Sequence, residues 1–435
     1  MRYFILLLLL FACPSYGQQK DADLSIASEI NKHLPEWIRV GGEYRFRAEG
    51  FSGIRGKEGA NDLYYLSRVR LDLTLKLSKR WKIFLQGQDA HVFGFVGRPI
   101  PLIHQDAMDL RQAYIEWRQK DKGGFTFKLG RQELNYGDQR LLGSLNWTNT
   151  ARSFDAVKMA YSNDKVAVDL FAASVVKIQD SVFDKHGDGN NLYGAYVQLP
   201  KTVKSATWNN YFFYKTERPM VRSEDGRLGT TSLYTVGTNL VGKFSPRIGY
   251  EIDLMLQRGS FSNDSIRAYA IHTKLYRELS SKETVPTVFV EYNVASGDER
   301  PGDGIRGTFD QLFPTGHVRY GLMDQVGLKN MHNVWLGTVW KPHKKLKLQF
   351  DYHSLWLYSR RDGLYNAGGA LVARIPDGSA PRHIAHEVDL RVTYDFNKYI
   401  QLEGGYGHWI PGGFWKKATP GSSQSFGYTM LTYKF

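Results

Sequence analysis

Residues 68–77 read RVRLDLTLKL, an alternation without a break. Val69, Leu71, Leu73, Leu75 and Leu77 fall on one face of an extended chain, and Arg68, Arg70, Asp72, Thr74 and Lys76 fall on the other. A strand with one wholly apolar and one strongly charged face fits a wall between lipid and water. The segment before it repeats the pattern. Ile38, Val40, Gly42, Tyr44 and Phe46 share a face, and Arg39, Gly41, Glu43, Arg45 and Arg47 share the opposite one.

Working outward, alternating segments recur near 81–93, 109–119, 124–133, 153–162, 165–175, 191–199, 206–216, 231–242, 248–258, 265–277, 285–295, 332–341, 345–358, 384–394, 398–408 and 425–435, which makes 18 in all. The segment 206–216 shows little preference of face. Connection lengths sort by parity. Links after even strands are short, as at 78–80, 162–164, 341–344 and 395–397, whereas those after odd strands, except the eleventh, are long, as at 49–63, 134–152, 296–331 and 359–383. Short turns at one end and long loops at the other predict an 18-stranded antiparallel transmembrane β-barrel of a Gram-negative outer membrane, with both termini periplasmic. The long loops 296–331 and 359–383 are long enough to fold inward or cover the mouth. The chain closes on Thr429, Leu431, Tyr433 and Phe435 sharing a face, which resembles the signal read by barrel-assembly machinery.

The ends and the composition agree with export. Arg2, the apolar run Phe4 to Phe11 and the small-residue close at Gly17 read as a cleaved signal peptide over 1–17. A short periplasmic segment, 18–36, then precedes the barrel, 37–435. Cys13 is the only cysteine and lies within the leader, so the mature chain has no disulfide. Aromatics make up 14% of the chain, yet no mature stretch is apolar enough for a transmembrane helix. The net charge of +14 fits either a solvated surface or a path for anions. Trp37, Trp81, Trp117, Trp147, Trp335, Trp340, Trp409 and Tyr433 lie at or near predicted strand ends, where they would form interface girdles.

Charges of both signs crowd the link after the fifth segment. Arg131, Glu133, Asp138, Arg140, Arg152 and Asp155 stand together there, a density that suits a polar constriction better than a simple turn. LGRQELNYGDQRLLG (129–143), followed by NWTNTARSFDAVKM (146–159) and preceded by LRQAYIEW (110–117), resembles the signature of the alginate-export porins. That resemblance implies an 18-stranded barrel that passes a uronate polyanion through an arginine-lined constriction, with the six residues above as its candidates. The chemistry points the same way. Guanidinium groups stay charged and bind carboxylates bidentately, and a ring of them in a narrow lumen lowers the barrier for an anion. By parity Arg45, Arg47, Arg68, Arg70 and Arg391 add positive charge to the lumen.

The sequence offers little for catalysis or metals. His383-Ile-Ala-His386-Glu387 has the wrong order for a zinc protease motif and sits on a strand. The loop 184–191, DKHGDGNN, carries several oxygen ligands but lacks EF-hand spacing and reads as solvated. Neither a nucleophile elbow nor a P-loop is present. The expected protein is a monomeric channel, not an enzyme, with no cofactor and no nucleic-acid partner. Its partners would be outer-membrane lipid, an acidic saccharide or other anionic solute and, for polymer export, periplasmic scaffold proteins. A general or small-anion porin, a barrel hydrolase and a plugged binding barrel stay open as alternatives.

Overall fold

The computed structural model describes residues 25–203 and 205–435. The leader 1–17, with Cys13, and residues 18–24 lie outside the described residues. Ile26–His33 forms a short helix, α1, capped by Ser25, whose side chain accepts from the Ser28 N–H at 3.0 Å. Asn31 ties this helix to the first strand by exchanging two hydrogen bonds with the Val40 backbone.

Eighteen long strands follow. They are β1 (Ile38–Ser52), β2 (Asn61–Lys76), β3 (Trp81–Phe93), β4 (Asp106–Arg118), β5 (Gly124–Gln132), β6 (Phe154–Ser162), β7 (Ala167–Val175), β8 (Asn190–Val203) and β9 (Ala206–Arg222), then β10 (Leu228–Ser245), β11 (Ile248–Phe261), β12 (Asp264–Glu278), β13 (Thr287–Ala295), β14 (Met331–His343), β15 (Leu346–Leu357), β16 (His383–Asp395), β17 (Ile400–Pro411) and β18 (Gln424–Lys434). Each pairs antiparallel with its neighbours, and β1 pairs with β18 from Glu43↔Lys434 to Ser52↔Ser425. The sheet therefore closes on itself with no free edge, which a bilayer demands of β-structure. Every alternating segment of the sequence corresponds to one of these strands. The indistinct segment 206–216 is β9, which runs on to Arg222.

Alternation decides what faces outward. On β2, Leu71 is 52% exposed while Arg68 is 3% exposed, and on β1 Tyr44 and Phe46 look out while Arg45 and Arg47 are buried. The apolar face meets lipid, and the charged face meets what fills the lumen. The girdle expectation holds for Trp37, Trp81 and Trp340, which are exposed. It fails for Trp335 and Trp409, which are buried, and for Trp147, which lies on a loop inside the barrel. Among the described residues no helix is long and apolar enough to cross a membrane.

The core of this molecule is inside the barrel. Leu134, Leu141 and Leu142 from the link 133–153, and Phe309, Leu312 and Phe313 from the link 296–330, pack with Phe154, Phe171, Phe213, Leu233 and Met255 of the wall. Burying such side chains contributes about 1.5–3 kcal/mol each, so both links are held folded inward. The link 358–382 adds a small hairpin, Gly363–Tyr365 against Leu371–Arg374, and the link 412–423 adds a helix, α2 (Gly413–Ala418), at the same end.

Candidate functional site: two inward loops gripped by arginines

The sequence from Glu133 to Ser153 turns inward because its apolar residues match apolar positions on the wall and its turns permit a tight path. Gln139, Leu145 and Ala151 adopt positive φ, a conformation that costs on the order of 1 kcal/mol for a residue with a Cβ. The gain is a backbone that meets the second inward loop. The Gly143 N–H donates to Phe313 O at 2.9 Å, the Phe313 N–H to Leu141 O at 2.9 Å, and the Thr315 N–H to Gln139 O at 2.9 Å. A Cβ on Gly143 would lie 2.3 Å from Thr315 Oγ1, so only glycine allows this approach.

Five arginines seize the far part of this loop. Arg45 donates to the carbonyls of Asn146 (2.7 Å), Trp147 (3.1 Å) and Thr148 (3.0 Å). Arg47 donates to Trp147 O at 2.6 Å and lies 3.8 Å over the indole ring, a cation–π contact. Arg68 reaches Asn146 O at 3.1 Å and Thr148 O at 3.2 Å. Arg70 and Arg111 share the Asn146 side-chain oxygen at 3.0 and 3.2 Å. Three carboxylates accompany them: Glu49 on Arg47 (2.6 Å), Glu43 on Arg68 (2.5 Å) and Glu133 on Arg111. Among the described residues Arg45 and Arg70 pair with no carboxylate; their partners are neutral oxygens.

The other motif residues form separate knots. Arg140 is 3% exposed and joins Asp138 (2.8 Å) on its own loop to Glu291 (3.4 Å), Asn293 (3.0 Å) and Tyr320 (2.9 Å) across the lumen. Burial alone would raise the Asp138 carboxyl, but Arg140 and Arg319 beside it hold it down at about 2. Arg152 donates to Gly143 O and Pro314 O, both at 3.0 Å, and so staples the two loops together without any carboxylate. Arg391 stands on another part of the wall against Asp351 at 3.4 Å.

Arg131 and Asp155 correct the sequence reading. They face each other across β5 and β6, and alternation puts them on the face of Leu129 and Val157, which are 57% and 55% exposed to the outside. Their ion pair, at 2.9 Å, belongs to the wall, where Arg131 also holds Leu110 O and Asp184 O. Nor do the remaining candidates form a single ring; they hold the lumen's contents at several places. His386 and Glu387 fall on opposite faces of β16. Glu387 is fully buried and accepts the Met323 N–H at 2.8 Å, so HIAHE assembles no metal set.

Sequence reasoning missed Arg111 and Lys215. Alternation from Trp117 through Ala113 would turn Arg111 outward. A bulge pairs Gln86 with Gln112 but Gly87 with Leu110, leaving Arg111 as the extra residue and swinging it inward. Lys215, on the strand with no clear face, is buried between Glu217 and Asp310, each at 3.1 Å.

Space remains on both sides of the paired loops. Toward the long-loop end lies a cavity of about 320 Å³ lined by Lys215, Arg306, Lys329, Glu217 and Asp310. Toward the short-turn end lies one of about 470 Å³ lined by Asp138, Asp169, Glu251, Tyr136 and Tyr196. The segments 139–143 and 313–315 stand between them.

A wall of 18 strands, a lumen crossed by loops and a cavity at either end are the parts of a porin. The sequence model of the alginate export family matches residues 36–429. This chain belongs to that family. Solved outer-membrane proteins share its fold. The BenF-like porin of Pseudomonas fluorescens Pf-5 is 8% identical, with a TM-score of 0.63 over 92% of this chain and 98% of that one. OpdK of Pseudomonas aeruginosa is 9% identical, with a TM-score of 0.61 over 91% and 98%. OccK8 (OprE) of the same organism is 10% identical, with a TM-score of 0.61 over 92% and 98%. No curated protein matches the chain. This member of the family is thus an outer-membrane β-barrel channel, and its family places it in transport, not among enzymes.

Proposed function

We propose that this channel passes anionic solutes in preference to cations, and that its solutes are acidic saccharides of the uronate class. The observation that carries this is the state of Arg45, Arg70 and Arg152. Each is held through neutral oxygens alone, and the carboxylates nearest Arg45 and Arg70, Glu43 and Glu133, are already paired with Arg68 and Arg111, so the cluster keeps an excess of positive charge that biases the lumen field. Arg306 and Lys329 at the upper cavity, where Lys215 already pairs with Glu217 and Asp310, favour entry of the same charge. The cavities, about 320 and 470 Å³, match the size range in which small-molecule sites fall, roughly 300–1,000 Å³, and so favour a monomer or short oligomer with the loops as they stand. A polymer needs the two loops to part. In this reading the residues 1–17 are a cleaved signal peptide, and the short-turn end, with both termini, faces the periplasm. The barrel acts as a monomer, and scaffold proteins for polymer export would dock at the short turns.

The test is single-channel recording of the purified protein in planar bilayers under a salt gradient, with oligouronates added. Anion preference with block by oligouronate is the expected result. Conductance with no preference between ions would reduce the protein to a general porin with structural arginines. No conductance would point to a plugged binding barrel.

A further inference from the structure

β5, β6 and β7 are nine residues each, and β4 pairs with β5 only over Ala113 to Arg118. The upper part of β4 therefore pairs with β3 but has no strand on its β5 side, and the loop 176–189 covers the gap. Its Asp180 accepts from the Ala107 N–H at 3.3 Å and from the Gln105 side chain at 2.9 Å, and its Asp184 N–H donates to Asp109 at 2.5 Å.

This closure brings three carboxylates, Asp106, Asp109 and Asp184, to within 4.8 Å of one another. They line a cavity of about 10 Å³, the volume of one small ion or one water. Among the described residues none of the three forms an ion pair. The two guanidiniums that border the cavity are engaged elsewhere, Arg131 with Asp155 and Arg111 with Glu133. A second observation comes from the inward loop. Thr150 lines the same cavity, is 4% exposed, and has no hydrogen-bond partner for its hydroxyl. Asp106, 3% exposed, likewise leaves one carboxylate oxygen unpartnered. Three acidic side chains and an idle hydroxyl oxygen around one small void present oxygen lone pairs that a positive ion would satisfy. A water has only two protons to offer. The other acidic grouping, Asp138 with Glu251 and His272, already has Arg140 at 2.8 Å from Asp138.

We propose that Asp106, Asp109, Asp184 and Thr150 form a calcium site that pins the loop 176–189 and the inward loop to β4. All the donors are oxygen, the ligand of hard cations, and calcium tolerates an irregular shell in which magnesium would demand an octahedron. Sites with few charged ligands in modules outside the cell bind with Kd on the order of 0.1–1 mM, and the same range is expected here.

The experiment uses the full mature chain, folded in detergent and stripped with EDTA. Titration with CaCl2 in a calorimeter should show one ion per chain. Trypsin cleavage after Lys177 and Lys185, both exposed, should slow about tenfold at a calcium concentration ten times Kd. Asp184→Asn should abolish both effects, and Asp188→Asn, an exposed neighbour in the same loop, should leave both intact. Should Asp184→Asn fail to fold, Thr150→Val removes only the hydroxyl and should weaken calcium binding severalfold. Absence of calcium binding would mean the pocket holds a water only and would overturn the proposal. Equal protection of wild type and Asp184→Asn would place any calcium effect elsewhere and overturn it as well.

Discussion

Arg152 and Arg131 belong to one motif and have opposite surroundings, so they should answer differently to the same substitution. Arg152 has carbonyl partners only and lies between the two loops; Arg131 has a carboxylate partner and lies in the wall. Arg152→Ala should reduce anion preference in reversal-potential measurements. Arg131→Ala should leave preference unchanged and lower unfolding stability by about 1 kcal/mol in denaturant titrations, as befits a partly exposed pair. Asp138 adds a pH dependence. Its pKa inside the docked loop, about 2, lies below the ordinary value near 3.9, so its contribution to docking is complete above about pH 4 and disappears as pH falls toward 2. The groups around it are Arg140, Arg319, His272 and Glu251, with Glu291 behind Arg140. Open events in bilayer recordings should become more frequent as pH falls from 4 to 2. At this scale the sequence was legible only where alternation ran unbroken. Arg45, Arg47, Arg68 and Arg70 point inward as their parity says. Arg111 does not follow parity, because one bulged residue inverts the count. Arg131 was carried to the lumen by its motif, although alternation from Leu129 already turned it out.

The elements divide into a wall and its contents. The wall follows from local pattern, since each strand needs only an apolar face for lipid and a polar one for the interior, and the sheet closes to leave no unpaired backbone. All eighteen strands could therefore be placed, most to within a few residues, with the larger errors where strands run on into the long loops. The contents follow from pairings far apart in sequence, such as Gly143 with Phe313 or Leu322 with Asp389, which no periodicity announces. Loop length did mark 296–331 as a candidate to fold inward. What it could not mark was the partner, the motif loop 133–153. This division predicts a separable function. Replacing residues 309–327 by a short Gly/Ser link removes Leu312, Phe313 and Tyr320 from the lumen, along with His317 under Trp147 and the Pro314 partner of Arg152, but keeps the contacts of Arg45, Arg47 and Arg68 to Asn146 to Thr148. Conductance should rise severalfold while anion preference persists. A rise with loss of preference would mean that the second loop, not the arginine cluster, sets selectivity.

For the whole molecule, the question is how a lumen with so many fixed ion pairs keeps a net field. Paired groups such as Arg140 with Asp138, or Arg391 with Asp351, cancel at a distance. The guanidiniums held by neutral oxygens do not, and they sit in a narrow space with a lipid-clad wall around it, where field lines are confined. Mobile ions screen such a field over about 10 Å at 0.1 M salt and about 3 Å at 1 M. A solute passing the half-buried Arg152 therefore feels it fully in dilute salt and weakly in concentrated salt. Anion preference should fall steadily as KCl is raised from 0.1 to 1 M. It should not vanish, because Arg45 and Arg70 are 5% and 7% exposed and lie where screening ions enter poorly. Reversal potentials measured at a fixed concentration ratio across that range would check this. A preference that stayed constant with salt would show that shape, not charge, selects the solute. A preference lost entirely at 1 M would mean that only charges in open water, such as those lining the outer cavity, do the selecting.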